Sequence, residues 1–247
     1  MIRLENLKLG YGVRTLLEGA SATFERGTLT ALLGRNGAGK STISKAVAKK
    51  MGYLYVDTGA IYRTVGVFVR THGVDPRDAG NVAELLPQIK IEMRHVDGVQ
   101  RMYLNGTDVT ETIREHEISR YASDVSAIPA VRAFLLEMQR KLARENNVLM
   151  DGRDIGTVVL PNATVKIFVT ASVEERANRR YKELCEKGMD VKYEDIYKDI
   201  ETRDYNDSHR AIAPLKPADD AIMYDTTGNT LEQSLEGLLK ILDERLK

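Results

Sequence analysis

Disulfide chemistry is excluded at the outset, because the 247-residue chain holds a single cysteine, Cys185. That solitary thiol, and four histidines (His72, His95, His116 and His209) without metal-ligand spacing, give no basis for a cysteine nucleophile or a histidine–cysteine metal cluster. Net charge is absent too. The 36 Lys and Arg balance 36 Asp and Glu, so no global basic field points to DNA or RNA, and arginine clusters must be judged singly. No run is long and apolar enough to span a membrane, and the N-terminus lacks a secretory-leader pattern. The expectation is a cytoplasmic monomer that binds neither nucleic acid nor membrane. Repeats and low-complexity segments are missing as well. The length suits one large α/β domain, or a core with an insert.

Against that background one stretch stands out. Gly34-Arg35-Asn36-Gly37-Ala38-Gly39-Lys40-Ser41-Thr42 is a complete G-x-x-x-x-G-K-S phosphate loop. The apolar run Thr30-Ala31-Leu32-Leu33 before it reads as a buried strand, and Thr42 to Met51 after it reads as a helix. Glycines let backbone N–H groups turn toward a phosphate, and the helix N-terminus adds partial positive charge. Gly34, Asn36, Gly37, Ala38, Gly39, Lys40, Ser41 and Thr42 are therefore the candidate nucleotide-phosphate site, with Lys40 on the outer phosphates and Ser41 on Mg²⁺.

The rest of the chain alternates strand and helix signals, so a mostly parallel sheet is expected. Tyr53–Val56, Val148–Met150, Thr164–Thr170 and Ala221–Asp225 read as strands. Helices follow at Thr58 onward, Ala130–Asn146, Val173–Lys187, Val191–Asp207 and Leu231–Leu246. Residues 72–124 read as an insert: a weak helix near Asn81–Leu86, then a small antiparallel sheet from Lys90–Val96 and Val99–Leu104 with turns at Asp97-Gly98 and Asn105-Gly106. Residues 1–27 read as a β-hairpin-like extension, two strands about Gly10-Tyr11-Gly12.

Two resemblances emerge from these motifs. Residues 1 to about 42, ending in LLGRNGAGKST, resemble the opening of an ABC-type transporter ATPase. In that family an aromatic at the position of Tyr11 stacks on adenine; a half-buried tyrosine at a strand end is the equal alternative. No LSGGQ-like signature follows. From about Gly37 to the C-terminus the chain instead resembles bacterial cytidylate kinases, in GAGKSTISKAVAKKMGYLYVDTGAIYR, in LNGTDVTETIREHEISRYASDVSAIPAVR, and in RDYNDSHRAIAPL. The second resemblance implies a P-loop kinase domain over 28–247, with insert 72–124 and a lid about 176–210. It implies ATP and Mg²⁺ as donor and cofactor, and CMP or dCMP as acceptor.

The same resemblance assigns site residues. Thr58, Tyr62, Arg63 and Arg132 fall at the CMP phosphate and its surroundings, and Arg153 and Asp154 at the cytidine. An acidic acceptor for an exocyclic amine suits discrimination of cytosine from uracil. Arg203, Asp207 and Arg210, with Lys40, are the catalytic set. Spacing alone puts Arg203, Asp207 and Arg210 on one helix face, where an ordinary solvated ion-pair face is the alternative. Asp151 ends a buried strand beside the loop; it either orders Mg²⁺ through water or caps the Gly152 turn. Arg176, Arg179, Arg180 and Lys182 form the densest basic cluster, a lid element or a solvated basic face.

The two resemblances meet inside GAGKST, so the chain reads as a recombinant, natural or made, joined at the shared loop. A cytidylate kinase reaction is the main expectation. An ATP-binding fragment of transporter type, or an inactive chimera that only binds nucleotide, is the alternative.

Overall fold

The computed structural model describes residues 2–11, 14–24, 29–34, 39–96, 99–186, 188–209 and 212–246, with backbone alone for residues 2–11, 14–24, 29, 33 and 116. Strands β1 (Ile2–Tyr11) and β2 (Arg14–Phe24) pair antiparallel, Ile2 opposite Phe24 and Tyr11 opposite Arg14, in a sheet of their own. The expected hairpin is there. The stacking role considered for Tyr11 lies outside the described side chains.

The central sheet begins with β3 (Leu29–Gly34), followed by helix α1 (Lys40–Met51), strand β4 (Leu54–Asp57) and helix α2 (Thr58–Thr71). The insert carries α3 (Ala79–Leu85), the strands β5 (Ile91–Val96), β6 (Val99–Leu104) and β7 (Thr107–Asp108), and α4 (His116–Val125). Then come α5 (Pro129–Glu145), β8 (Val148–Gly152), β9 (Val165–Thr170), α6 (Val173–Glu186), α7 (Tyr193–His209), β10 (Ile222–Asp225) and α8 (Leu231–Arg245). The five-stranded sheet runs β10-β9-β3-β8-β4, parallel throughout. The α/β fold and the small antiparallel sheet are as the pattern of elements implied.

Parallel strands buried on both faces read as near-continuous apolar runs, and β3, β8 and β9 do. Alternate residues go to opposite cores. Leu32, Leu149, Ile167 and Val169 pack with Ile43 and Val47 of α1 and Leu238 and Leu242 of α8. Ala31, Met150 and Phe168 face the other way, toward Ile61 and Val65 of α2, Ile118 of α4 and Leu135 of α5. Thr30 is fully buried in β3, and its hydroxyl has no hydrogen-bond partner among the described residues.

Two local features differ from the sequence reading. Helix α1 starts at Lys40, two residues before the expected Thr42. A π-helical turn, Ile155–Val159, follows β8. The insert is also less separate than its pattern implied, because α4 lies tight on α2. A Cβ on Gly66 would sit 3.1 Å from the Cβ of Tyr121 and 3.2 Å from the backbone nitrogen of Ala122. The Asn105-Gly106 turn has φ of 49° and 85°, the two positive values that a tight hairpin turn of this sequence adopts.

Candidate active site

The carboxyl ends of β3, β8 and β4 meet at one edge of the sheet, where open α/β sheets place ligands. At β3 the chain leaves through Gly34, whose φ is 144°. A Cβ there would run into the carbonyl oxygen of Val169 on β9, so no other residue fits. Arg35, Asn36, Gly37 and Ala38 lie outside the described residues. Helix α1 then opens with Gly39 in the left-handed region (φ 80°) and no side-chain cap. Its first N–H groups are thus left for an anion.

Asp151 ties this end together. Its Oδ2 accepts hydrogen bonds from Ser41 Oγ (2.9 Å) and the Tyr55 hydroxyl (3.1 Å), while its carbonyl accepts from Thr58 Oγ1 (2.8 Å). The carboxylate thus reaches across to the loop helix, and the capping of the Gly152 turn that the sequence left open is not its role. Asp151 is 3 % exposed. Burial, and the Asp57 carboxylate beside it, push its pKa up to about 6 against the pull of Lys40 and its hydrogen bonds. Burial also lowers the pKa of the Lys40 ammonium, opposed by Asp151. A hydroxyl and a buried carboxylate, both hard oxygen donors, fit a Mg²⁺ position. A cavity of about 420 Å³ opens here, lined by Gly39, Lys40, Ser41 and Thr42 on one side and by Arg176, Arg179 and Asn229 on the other.

A second cavity, about 410 Å³, adjoins it. Thr58, Tyr62, Arg63, Arg132, Arg153, Asp154, Arg203 and Asp207 all line it, so residues far apart in sequence converge as expected. The two cavities share Arg176, Arg180 and Glu183 of α6 as a common wall. Arg210 lies outside the described residues, and α7 ends at His209.

Three arginines of the second cavity are held by acids. Arg63 Nη2 meets Asp57 Oδ2 at 2.9 Å. Arg132 pairs with Asp154 in a buried contact, donates to the carbonyl of Ser126 at 2.9 Å, and lies 5.6 Å from the centroid of the Tyr62 ring. Arg153 pairs with Asp207. The π-helical turn explains how Asp154 is presented. The Asp154 carbonyl accepts from the backbone nitrogens of Thr157, Val158 and Val159 at 3.3, 2.8 and 3.2 Å. Such turns accumulate at functional sites. Gly152 lets this turn approach α2, since a Cβ would collide with Thr58 Oγ1 and the Ile155 side chain. Arg203 differs: no hydrogen bond or ion pair joins it to another described residue. Desolvation, and then the like charge of Arg153, lower its pKa.

Arg176 is not part of a solvated basic face. It is fully buried and grips Asp204 of α7 through two contacts of 3.0 and 2.5 Å, locking α6 to α7. Arg179 binds Glu175 at 2.8 Å and the Thr226 carbonyl at 2.8 Å. The sequence reading also missed Tyr55 and three serines of the second cavity, Ser119, Ser123 and Ser126. The spacing of the serines, four and then three residues along α4 and onto its C-cap, was the available signal.

The cytidylate kinase family model matches residues 30–244. A cytidylate kinase of Caldicellulosiruptor bescii is 49% identical over 217 residues, covering 88% of this chain and 96% of its own. One from Leuconostoc mesenteroides is 47% identical over 216 residues, 87% of this chain and 96% of its own. A shikimate kinase from Bacteroides thetaiotaomicron superposes with a TM-score of 0.44 at 14% identity, over 87% of this chain and 97% of its own, a likeness too loose to add to the topology. With a family match spanning most of the chain and relatives near half identity, this chain belongs to the cytidylate kinase family.

Proposed function

We infer that the protein transfers the terminal phosphoryl group of ATP to CMP or dCMP, giving ADP and CDP or dCDP. The observation that carries this reading is the pair of adjoining cavities, one floored by the phosphate-loop helix and the other ringed by arginines, with α6 between them. Two anionic nucleotides repel, so the protein must neutralise charge and hold the reactants in line; little covalent work is needed.

In this reading ATP occupies the Lys40 cavity. Lys40 steadies the transferring group, and the loop N–H groups bind the inner phosphates. Ser41 would hold Mg²⁺ directly and Asp151 through water; the ion supplies charge neutralisation between phosphates. CMP occupies the second cavity, with its phosphate on Arg63 and Arg132 and its cytosine amino group on Asp154. Arg203 and Arg210 meet the developing charge from the acceptor side with Asp207 beside them, and Arg153, paired with Asp207, contacts the cytidine. Monoester phosphates titrate near pH 6, so the acceptor oxygen is already ionised at neutral pH and no general base is required. Closure of the 176–210 lid would exclude water and limit hydrolysis of ATP.

We take residues 28–247 as the kinase unit and residues 1–27 as an addition of ABC-ATPase type, the chain being joined at GAGKST. Support comes from the family match starting at residue 30 and from a hairpin that forms its own sheet. Removal of residues 2–24 is then expected to leave CMP-dependent turnover within about twofold. A tenfold loss would make the hairpin part of the enzyme. Among the described residues no helix is long and apolar enough to cross a membrane, and we place the reaction in the cytoplasm.

The test is ADP release from ATP and Mg²⁺ with CMP, dCMP, UMP, AMP or no acceptor. Turnover that depends on CMP or dCMP supports the reading. ADP release without any acceptor contradicts it.

A further inference from the structure

The central sheet ends at β4, and an edge strand presents unpaired backbone groups on its outer side. In β4 the inner side belongs to β8, and no described strand pairs with its outer side. Tyr55 and Asp57, two residues apart, direct their outer groups the same way. Each is met by a side chain from the insert. His95 donates from Nε2 to the Tyr55 carbonyl at 3.2 Å. Gln100 Oε1 accepts from the Asp57 backbone nitrogen at 3.1 Å. His95 and Gln100 are themselves directly opposite each other across the β5–β6 pair. One cross-strand pair thus supplies, through side chains, the donor and the acceptor that a sixth strand would have supplied through its backbone.

Where this pair grips matters. Asp57 is the N-cap of α2, its Oδ1 accepting from Ala60 N at 3.0 Å. Its other oxygen holds Arg63. It also lies beside Asp151 in the β4–β8 register. The hairpin therefore fixes the residue from which the acceptor-site helix starts. A cap whose own N–H is satisfied keeps its carboxylate aimed at both the helix and Arg63. Gln100 is further held by a contact of its amide nitrogen with Met102 Sδ at 3.3 Å.

We propose that Gln100, supported by His95, is a positioning residue of the acceptor site. It links the insert hairpin to Arg63 through Asp57, so that the place of the insert sets the readiness of the phosphate-binding arginine. None of the link's groups lines the Lys40 cavity, and Asp57 reaches that side only as a charge beside Asp151. It rests on the reading that CMP phosphate is bound by Arg63.

The experiment measures KM for CMP, KM for ATP and kcat for Gln100→Ala and for Gln100→Met, which keeps the length of the side chain but not the carbonyl acceptor. Loss of one such hydrogen bond predicts a rise of about three- to tenfold in KM for CMP, with KM for ATP unchanged. In an Arg63→Ala background the same change is expected to have no further effect, because the residue acts through that arginine. Should both Gln100 variants leave KM for CMP unchanged, or raise both KM values together, or add their full effect to Arg63→Ala, the proposal is overturned. Failure of the parent reading looks different, since the unaltered protein would then show no CMP-dependent turnover at all. If Gln100→Ala does not fold, Gln100→Met and His95→Ala carry the same comparison.

Discussion

The two cavities are built on opposite plans. The floor of the Lys40 cavity is backbone at a helix start, with one lysine, the hydroxyls of Ser41 and Thr42 and, behind Ser41, a buried carboxylate whose proton affinity is raised, while Arg176, Arg179 and Arg180 form the wall opposite. The second cavity is lined by long cationic side chains, three of them fastened to acids: Arg63 to Asp57, Arg132 to Asp154, Arg153 to Asp207. Backbone donors are rigid by virtue of the fold. Guanidinium groups are not, and without acids between them they would repel and swing outward. The acids pre-position the arginines while leaving N–H donors for a phosphate. Arg203 is joined by hydrogen bond or ion pair to no described acid, so in the proposed reading its charge is left for the transferring group.

If the plans differ in this way, breaking each side has its own signature. The largest effect is expected from Lys40→Ala. Phosphoryl transfer should fall by about 10³-fold, as for other removed transition-state donors, with CMP affinity unchanged. Loss of CMP binding in that variant would show that the two sides are not independent. Next is Arg176→Met at the shared wall. It takes from the buried Asp204 its guanidinium partner, and a loss of roughly 3 kcal/mol in unfolding free energy is expected by denaturant titration. Adding Asp204→Leu should restore much of it; no recovery would mean that packing of the guanidinium itself holds α6 to α7.

A smaller and opposite effect follows for Asp151→Asn. The Asp151 carboxyl is raised from 3.8 to about 6, so the folded state binds its proton more tightly than the unfolded chain does. The stability this group contributes is complete below the unfolded value and is lost as pH rises through the folded one. Without nucleotide, the variant should therefore be more stable than the parent at pH 8 by about 1–3 kcal/mol, with the difference shrinking by pH 4. Mg²⁺-dependent turnover should fall at the same time. Equal melting temperatures at both pH values would remove the buried-carboxylate argument. The smallest effect is Thr30→Val. The buried hydroxyl makes no hydrogen bond to a described residue, so removing it should raise stability by about 1 kcal/mol and leave both KM values alone.

Much of this was open to a reader of the sequence, for stated reasons. Gly34 to Thr42 is a local motif whose geometry is carried by its own residues. The convergence of Arg63, Arg132, Arg153 and Arg203 came from resemblance, since single arginines in helices carry no local signal. What stayed hidden was pairing over distance. Tyr55 meets Asp151 across 96 positions and Arg176 meets Asp204 across 28, so Arg176 looked like one of a surface cluster. Nor does a hairpin reveal which strand edge it will cap, so His95 and Gln100 read only as strand residues. The π-helical turn after Asp154 likewise depends on tertiary room that Gly152 provides.

If the second cavity is assembled by its own ion pairs, independently of the Lys40 cavity, CMP binding needs nothing from the Lys40 side. Calorimetric titration of CMP into the protein without ATP or Mg²⁺, beside Lys40→Ala and Arg132→Ala, tests it most directly. The account predicts that CMP binds unaltered protein and Lys40→Ala with the same affinity, and that Arg132→Ala weakens it by about tenfold or more. CMP binding that requires ATP, or that is lost with Lys40, would contradict it.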